Sequence, residues 1–370
     1  MKAAPPTGEA AQAPTIYEVA AKAGVSIKTV SRVLNGEPNV RPAVQQRVRA
    51  AVAELGYRPK MSARGLAGGR SYTLVTFLDE GLTMDHWRIG RSNPYVERLQ
   101  FAGMLQCRKA GYHLLVELLD PASPRVEQWI QSTLAALNPD GVILTPPISE
   151  DKKIISLLER FGAPFARLSA IPSDAACLTI SMDETAAAAE ATNHLIDLGH
   201  TRVGFISGGP GFGSSALREQ GYRSALAARG IPIEKRLMAD GGFTFEGGKQ
   251  AAAILLKDKN PPTAIFASND EMALGAIHEA TRRGLAVPRD LSIIGFDDFP
   301  AAQYSIPPLT SMRQPIDSMG VLAVQRLIEN AAKQRGAPMP KDRAVVPHAL
   351  VVRASTCPPP RTAAKRATKA

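Results

Sequence analysis

Cysteine is scarce in this 370-residue chain: Cys107, Cys177 and Cys357 are too few and too scattered for a disulfide framework or a metal cage. A reducing compartment fits that usage. No run of about 18 apolar residues occurs, and the opening MKAAPPTGEAAQAPT lacks the apolar core of an export signal. Membrane insertion and secretion are not expected, and the chain reads as cytoplasmic. Its six histidines, His194, His200 and His278 among them, show no paired metal-ligand spacing. The glycine-rich run SGGPGFGSS at 207–215 lies between an expected strand and an expected helix. It lacks the lysine of a P-loop, and it lacks the spacing and the later acidic residue of a dinucleotide fingerprint. With no constellation of nucleophile, base and orienting group elsewhere, neither catalysis nor a cofactor nor a metal is expected.

What is present is the composition of a globular protein, 45% hydrophobic and 21% charged. The length suggests two or three domains. The net charge of +10 becomes informative once divided along the chain. Residues 1–70 hold eleven Lys and Arg against four Asp and Glu, and residues 353–370 hold five against none. The long stretch between them, 71–352, is slightly acidic, with 28 against 30. Cations confined to one small region suit phosphate neutralisation by a nucleic-acid-binding head; a solvated basic face is the plainer alternative.

Residues 1–14, rich in Ala and Pro, read as a flexible arm. Order begins at Thr15, where T-I-Y-E makes a capping box with Glu18. Ile16, Val19, Ala20 and Ala23 then recur at helical spacing until Gly24. Ser26 is the expected cap of a second helix over 27–34, which ends in the turn residues Asn35-Gly36-Glu37-Pro38. A third helix over 42–55 would bury Val44, Val48, Ala51, Val52 and Leu55 before Gly56. Three short helices with a glycine turn between the first two make a helix-turn-helix domain over 15–58.

From Ser71 the pattern changes to short β-rich runs alternating with long amphipathic stretches. Strands are expected at 72–78, 113–118, 141–144, 164–168, 202–206, 263–267 and 291–296. Helices are expected at 95–110, 125–137, 151–161, 184–198, 215–229, 245–257 and 270–283. Regular alternation predicts parallel sheets covered on both faces, and so many units imply two lobes over 71–355. Ligands of such folds bind at the carboxyl ends of strands, here in the cleft between lobes. The Pro/Ala/Lys-rich tail 356–370 is expected to be disordered, and without leucine heptads it forms no coiled coil.

A resemblance is carried by the run TIYEVAAKAGVSIKTVSRVLNGEPNV, then VAELGYRP and SARGLAGGRS, and in the core by DGVILTPP, HLIDLGHTRVGFISG, LREQGYRSAL, PPTAIFASNDEMALGAI, LSIIGFDD, PPLTSMRQP and LVVRAST. These segments are similar to the lactose/galactose repressor (LacI/GalR) family through most of residues 15–355. The fold so implied is an N-terminal all-α helix-turn-helix head with a hinge helix, then a two-lobed α/β core resembling a periplasmic sugar-binding protein. The resemblance implies a sequence-specific transcriptional regulator, with a repressor of carbohydrate-utilisation genes the commoner outcome. A periplasmic binding protein, the competing class, is disfavoured by the basic head and the missing export signal.

By spacing, Val30, Val33 and Leu34 face the core of the head, while Ile27, Lys28, Ser31 and Arg32 face outward. The resemblance places Ile27, Lys28 and Arg32 where bases are read in the major groove. Arg32 suits guanine O6 and N7, Lys28 a similar acceptor, and Ile27 a thymine methyl. Thr15, Ser26, Thr29 and Asn35 are candidates for phosphate contacts, although Thr15 and Ser26 have an equal claim as helix caps. Arg41 stands where the family commonly places a hydroxyl cap for the third helix; Pro42 partly compensates. Residues 59–70 correspond to the family's hinge helix and linker, expected to fold on binding because a short helix containing Gly65 nucleates poorly. Leu66 would be the wedge between base steps of the minor groove, with Ala67 beside it.

In the core the resemblance matches Arg218, Asn269 and Asp297 to effector-binding positions, often those that hold sugar hydroxyls. Guanidinium, amide and carboxylate groups suit that chemistry. Phe243 matches an aromatic position that can lie against a sugar ring, with plain core packing as its alternative. Asn93 and Tyr95 are candidates for the wall of the other lobe. Ser169 stands where many relatives carry Asp, which leaves the ligand's identity open. Asp183 and Asp270 are explained as well by helix capping as by ligand contact. The expected partners are a pseudo-palindromic DNA operator, a small sugar-like effector and a second copy of the chain.

Overall fold

The computed structural model describes residues 14–34, 39–57, 70–171, 173–333 and 339–360. Helix α1 (Ile16–Ala23) starts where Glu18 reaches back to Thr15, its carboxylate accepting from the Thr15 N–H at 2.6 Å and the Thr15 hydroxyl at 2.9 Å. That reach satisfies a donor the helix itself cannot. The helix stops at Gly24, which turns left-handed at φ 63°, a conformation a β-carbon resists. Ser26 Oγ accepts from the Thr29 N–H at 3.2 Å and caps α2 (Ile27–Leu34). Helix α3 (Pro42–Leu55) has Pro42 in its first turn and no side-chain cap from Arg41. The three helices enclose Val19, Ala20, Ala23, Val30, Val33, Val48 and Ala51, with Ile16, Val44, Val52 and Leu55 partly buried around them. An ion pair between Lys22 and Glu54 links α1 to α3 at the surface, where such pairs contribute about 1 kcal/mol at most.

The chain divides into two compact units, of which this head belongs to the first and nearly everything from Thr73 onward to the second. The second begins with β1 (Thr73–Asp79), α4 (Glu80–Arg88), α5 (Pro94–Ala110), β2 (His113–Leu119), α6 (Val126–Leu137), β3 (Gly141–Leu144), α7 (Lys152–Arg160), β4 (Phe165–Leu168) and β5 (Leu178–Ser181). It continues with α8 (Glu184–Asp197), β6 (Val203–Ser207), α9 (Gly213–Ala228), β7 (Met238–Asp240), α10 (Phe245–Leu255), β8 (Ala264–Ala267), α11 (Asp270–Arg282), β9 (Ser292–Asp297), α12 (Pro300–Tyr304) and β10 (Thr310–Arg313). Helix α13 (Ile316–Lys333), β11 (Asp342–Val345) and β12 (Ala349–Val351) complete it.

Two six-stranded sheets result, ordered β11-β5-β4-β3-β1-β2 and β12-β10-β9-β8-β6-β7. Every pairing is parallel except β10 with β12. The chain crosses between lobes three times: after β5, again where α13 returns to pack on α5 and the first sheet, and finally between β11 and β12. Central strands such as β3, β4, β8 and β9 are buried along their length, as parallel strands covered on both faces must be. In the second lobe Phe205 stacks on Tyr222 at 4.8 Å and meets Phe266 edge-on at 5.4 Å. Helices α8 and α9 touch at Gly221, where a β-carbon would stand 2.3 Å from the Thr185 carbonyl oxygen.

All seven expected strands are present to within two residues. The structure adds β5, β7, β10, β11 and β12, each of three or four residues and too short to show a period of two. It also adds α4, α12 and α13, the last lying beyond the final helix expected from sequence although Ile316, Met319, Gly320, Ala323, Val324 and Leu327 carry a helical spacing. The tail expected to be disordered from residue 356 needs correction at its start. Thr356 Oγ1 lies 3.0 Å from His194 Nε2, and the Cys357 N–H donates to Ser292 Oγ at 3.0 Å. These residues stay ordered because they pair with polar groups on α8 and at the start of β9. Residues 1–13 and the hinge segment to Gly69 lie outside the described residues, as do 361–370.

Candidate functional site

Two groups of functional residues were expected, and each falls within one unit. On α2 the burial of Val30 and Val33 turns the opposite face outward. Ile27 is 39% exposed there, an apolar side chain left in solvent on a helix whose valines are inside. Lys28 and Arg32 are exposed beside it, and Ser31 and Thr29 are half-buried at its margin. Thr15 and Ser26 are exposed at the starts of α1 and α2, so both can cap and still reach an anion. The face is cationic and holds no acidic residue. Asn35, Leu66 and Ala67 lie outside the described residues.

In the second unit the carboxyl ends of the strands converge from both lobes on one cavity of about 210 Å³. Parallel sheets of this order place their ligands there, at the point where crossovers leave in opposite directions. Leu82 and His86 follow β1, Pro146 follows β3 and Ser169 follows β4. From the other lobe, Phe212 and Arg218 follow β6, Phe243 follows β7, Asn269 follows β8, Asp297 ends β9 and Gln314 follows β10. Asn93 and Tyr95 complete the wall, so all seven expected effector residues line the same cavity.

Their geometry is held from behind. Asn93 caps α5 by accepting from the Val96 N–H at 3.2 Å, and Asn269 caps α11 by accepting from the Met272 N–H at 2.9 Å while its amide donates to the Phe243 carbonyl at 3.3 Å. The Tyr95 and Ser169 hydroxyls are 2.8 Å apart and bind each other. Burial raises the Tyr95 phenol above its ordinary range, so it stays protonated. Phe243 meets Phe212 edge-on at 5.2 Å. Its ring rests on Gly208, where a β-carbon would fall 2.1 Å from the ring, so that glycine serves the aromatic wall.

Arg218 is the cation among the described cavity-lining residues that carries permanent charge, and it is already engaged. It donates to Glu184 at 2.8 Å and to the Ser268 carbonyl at 2.5 Å, its guanidinium carbon lies 3.8 Å from the Phe296 ring centre, and Asp297 is 3.8 Å away. Gln314 donates to Asp297 at 2.5 Å. Burial pushes the Asp297 carboxyl up to about 7 against the opposing pull of Arg218 and the Gln314 hydrogen bond. Burial, with a smaller push from Arg91, lowers His86 and keeps its imidazole neutral.

Backbone strain gathers at the same place. Ser169, Phe243 and Asp297 adopt positive φ of 48°, 55° and 113°, each costing about 1–3 kcal/mol that the surrounding fold must offset. Non-glycine residues held this way mark a site where side-chain direction matters more than local stability.

Asp183 and Asp270 stay off the cavity wall. Asp183 caps α8 through the Ala186 N–H at 2.9 Å; Asp270 accepts from Ser311 Oγ at 2.5 Å and the Phe299 N–H at 2.8 Å. Sequence reasoning missed Glu184, Gln314, His86 and Phe212. Glu184 reads as an ordinary acid in a first helical turn, and only the fold brings Arg218 to it from α9. Gln314 lies in PPLTSMRQP, a segment legible as a motif but not as a site.

Comparison with known proteins agrees with this construction. Residues 15–60 match the model for bacterial regulatory proteins of the lacI family, and residues 192–356 match that of a periplasmic binding protein-like domain. The HTH-type transcriptional regulator DegA of Bacillus subtilis is 35% identical over 347 residues, covering 93% of this chain and 98% of DegA. The lac repressor dimer bound to operator and the anti-inducer ONPF superposes with a TM-score of 0.73 at 27% identity, over 94% of this chain and 100% of that one. A complex of the transcriptional regulator CelR with cellobiose gives 0.68 at 29%, over 92% and 99%. With an exposed cationic helix in a three-helix head and a strained cavity between two parallel-sheet lobes, the chain belongs to the LacI family of bacterial regulatory proteins and is a DNA-binding transcriptional regulator.

Proposed function

We propose that the chain is a cytoplasmic homodimeric repressor of carbohydrate-utilisation genes whose hold on DNA is set by a small sugar-like effector in the interlobe cavity. The observation that carries the reading is the convergence of Asn93, Tyr95, Ser169, Arg218, Phe243, Asn269 and Asp297 on one cavity. Hydroxyl, amide, guanidinium and carboxylate groups around an aromatic wall match the chemistry of a polyol ring, and the CelR complex holds cellobiose. On the head, Lys28 and Arg32 read bases with Ile27 against a methyl, Ser31 lies at the edge of that contact, and Thr15, Ser26 and Thr29 take phosphates. Asn35 would join the phosphate contacts, with Leu66 and Ala67 entering the minor groove from the hinge segment.

Two copies reading one symmetric site fit the exposed apolar stripe Phe101, Met104 and Leu105, which repeats at helical spacing on α5 and gives a second chain something to cover. Effector binding then shifts the two lobes between arrangements of different affinity for DNA; coupling of about 1–3 kcal/mol suffices for a useful response. The test is selection of bound duplexes from a random pool, followed by anisotropy titration with and without sugars. A pseudo-palindromic site whose affinity changes with one sugar in wild type, and no longer changes in Asp297→Ala, is the expected result. An unchanged response in that variant removes Asp297 from the effector site.

A further inference from the structure

We infer that the effector carries no phosphate or carboxylate, an inference that rests on the effector reading above.

The groups that would receive an anion are already occupied by the protein's own oxygens. Arg218 is neutralised by Glu184 and donates to the Ser268 carbonyl. The Gly213 N–H at the start of α9, placed as a phosphate-binding amide would be, donates to Glu150 Oε2 at 3.0 Å. Asn93 and Asn269 take amides at the starts of α5 and α11. Of the remaining charges, Glu271 on the wall is paired with Arg91, and Asp297 is a further acid. Without an unpaired cation among these groups, a buried anion would meet carboxylates at close range, which the low local dielectric makes unfavourable.

The experiment uses the full-length chain in thermal-shift and calorimetric titrations at pH 7.5 with matched sets: glucose, galactose and cellobiose, then glucosamine, then glucose 6-phosphate, galactose 6-phosphate and glucuronate. Binding confined to the neutral and amino members is expected in wild type, and Glu184→Gln, which strips Arg218 of its neutralising partner, should narrow the gap between each phosphate or uronate and its neutral parent by about tenfold or more. A phosphate or uronate binding wild type more tightly than its neutral parent overturns this inference and leaves the effector site standing. Silence from every member of the panel overturns the effector reading beneath it as well.

Discussion

On α2 the cations Lys28 and Arg32 stand on an exposed face, whereas in the cavity Arg218 is 3% exposed and locked between Glu184, the Ser268 carbonyl and the Phe296 ring. The difference follows from the two ligands. DNA is a polyanion whose counterions are released when cations approach, so charge works best at a solvated surface. A small polar molecule must be recognised after losing its water, so the groups that hold it are buried, paired and fixed in direction beforehand.

Arg32→Ala tests the first half of this contrast and should have the largest effect. Loss of about 1–3 kcal/mol at each half-site lowers affinity for a symmetric operator by roughly thirtyfold or more, while sugar binding measured by calorimetry stays at the wild-type value. Loss of both would mean the two sites are not separate. Gly221→Leu tests the second half. A side chain driven toward the Thr185 carbonyl forces α8, which carries Glu184, away from α9, which carries Arg218. Overpacking of about 3 kcal/mol should lower the melting temperature of the second unit and weaken sugar binding together; an unshifted melting curve would show that the helices slide apart freely.

The smallest effect concerns pH. Asp297 has its carboxyl pushed up to about 7 by burial, above the value of about 3.9 for an unfolded chain. The folded state therefore holds a proton that the unfolded state has already released, and stability is lost as pH rises from about 4 to about 7. Asp297→Asn removes that slope. Its melting temperature relative to wild type should be higher by a few degrees at pH 8 than at pH 5, and a difference independent of pH would place the titration elsewhere.

The head was the more legible part because its determinants are local. Glu18 three residues after Thr15, Gly24 in its left-handed turn and Val30 with Val33 on one face each act within a turn of helix. The core was legible as alternation, but not in its short strands or its three lobe crossings. The candidate cavity residues were found through resemblance to relatives, and it took the fold to show that Glu184 and Gln314 stand among them. No spacing pattern joins Glu184 to Arg218, 34 residues apart, or Asp297 to Gln314, 17 apart.

By itself, then, the sequence determined where helices begin and end, which face of α2 turns outward, the division into a basic head and a two-lobed core, and the family. All but the last follow from capping, periodicity and charge, interactions whose range is a few residues, and the family follows from resemblance to its motifs. The tertiary structure alone decided that strand ends from both lobes meet at one cavity and that Arg218 is spent on Glu184. Those outcomes depend on groups distant in the chain sharing one buried volume, where a polar group must find a partner.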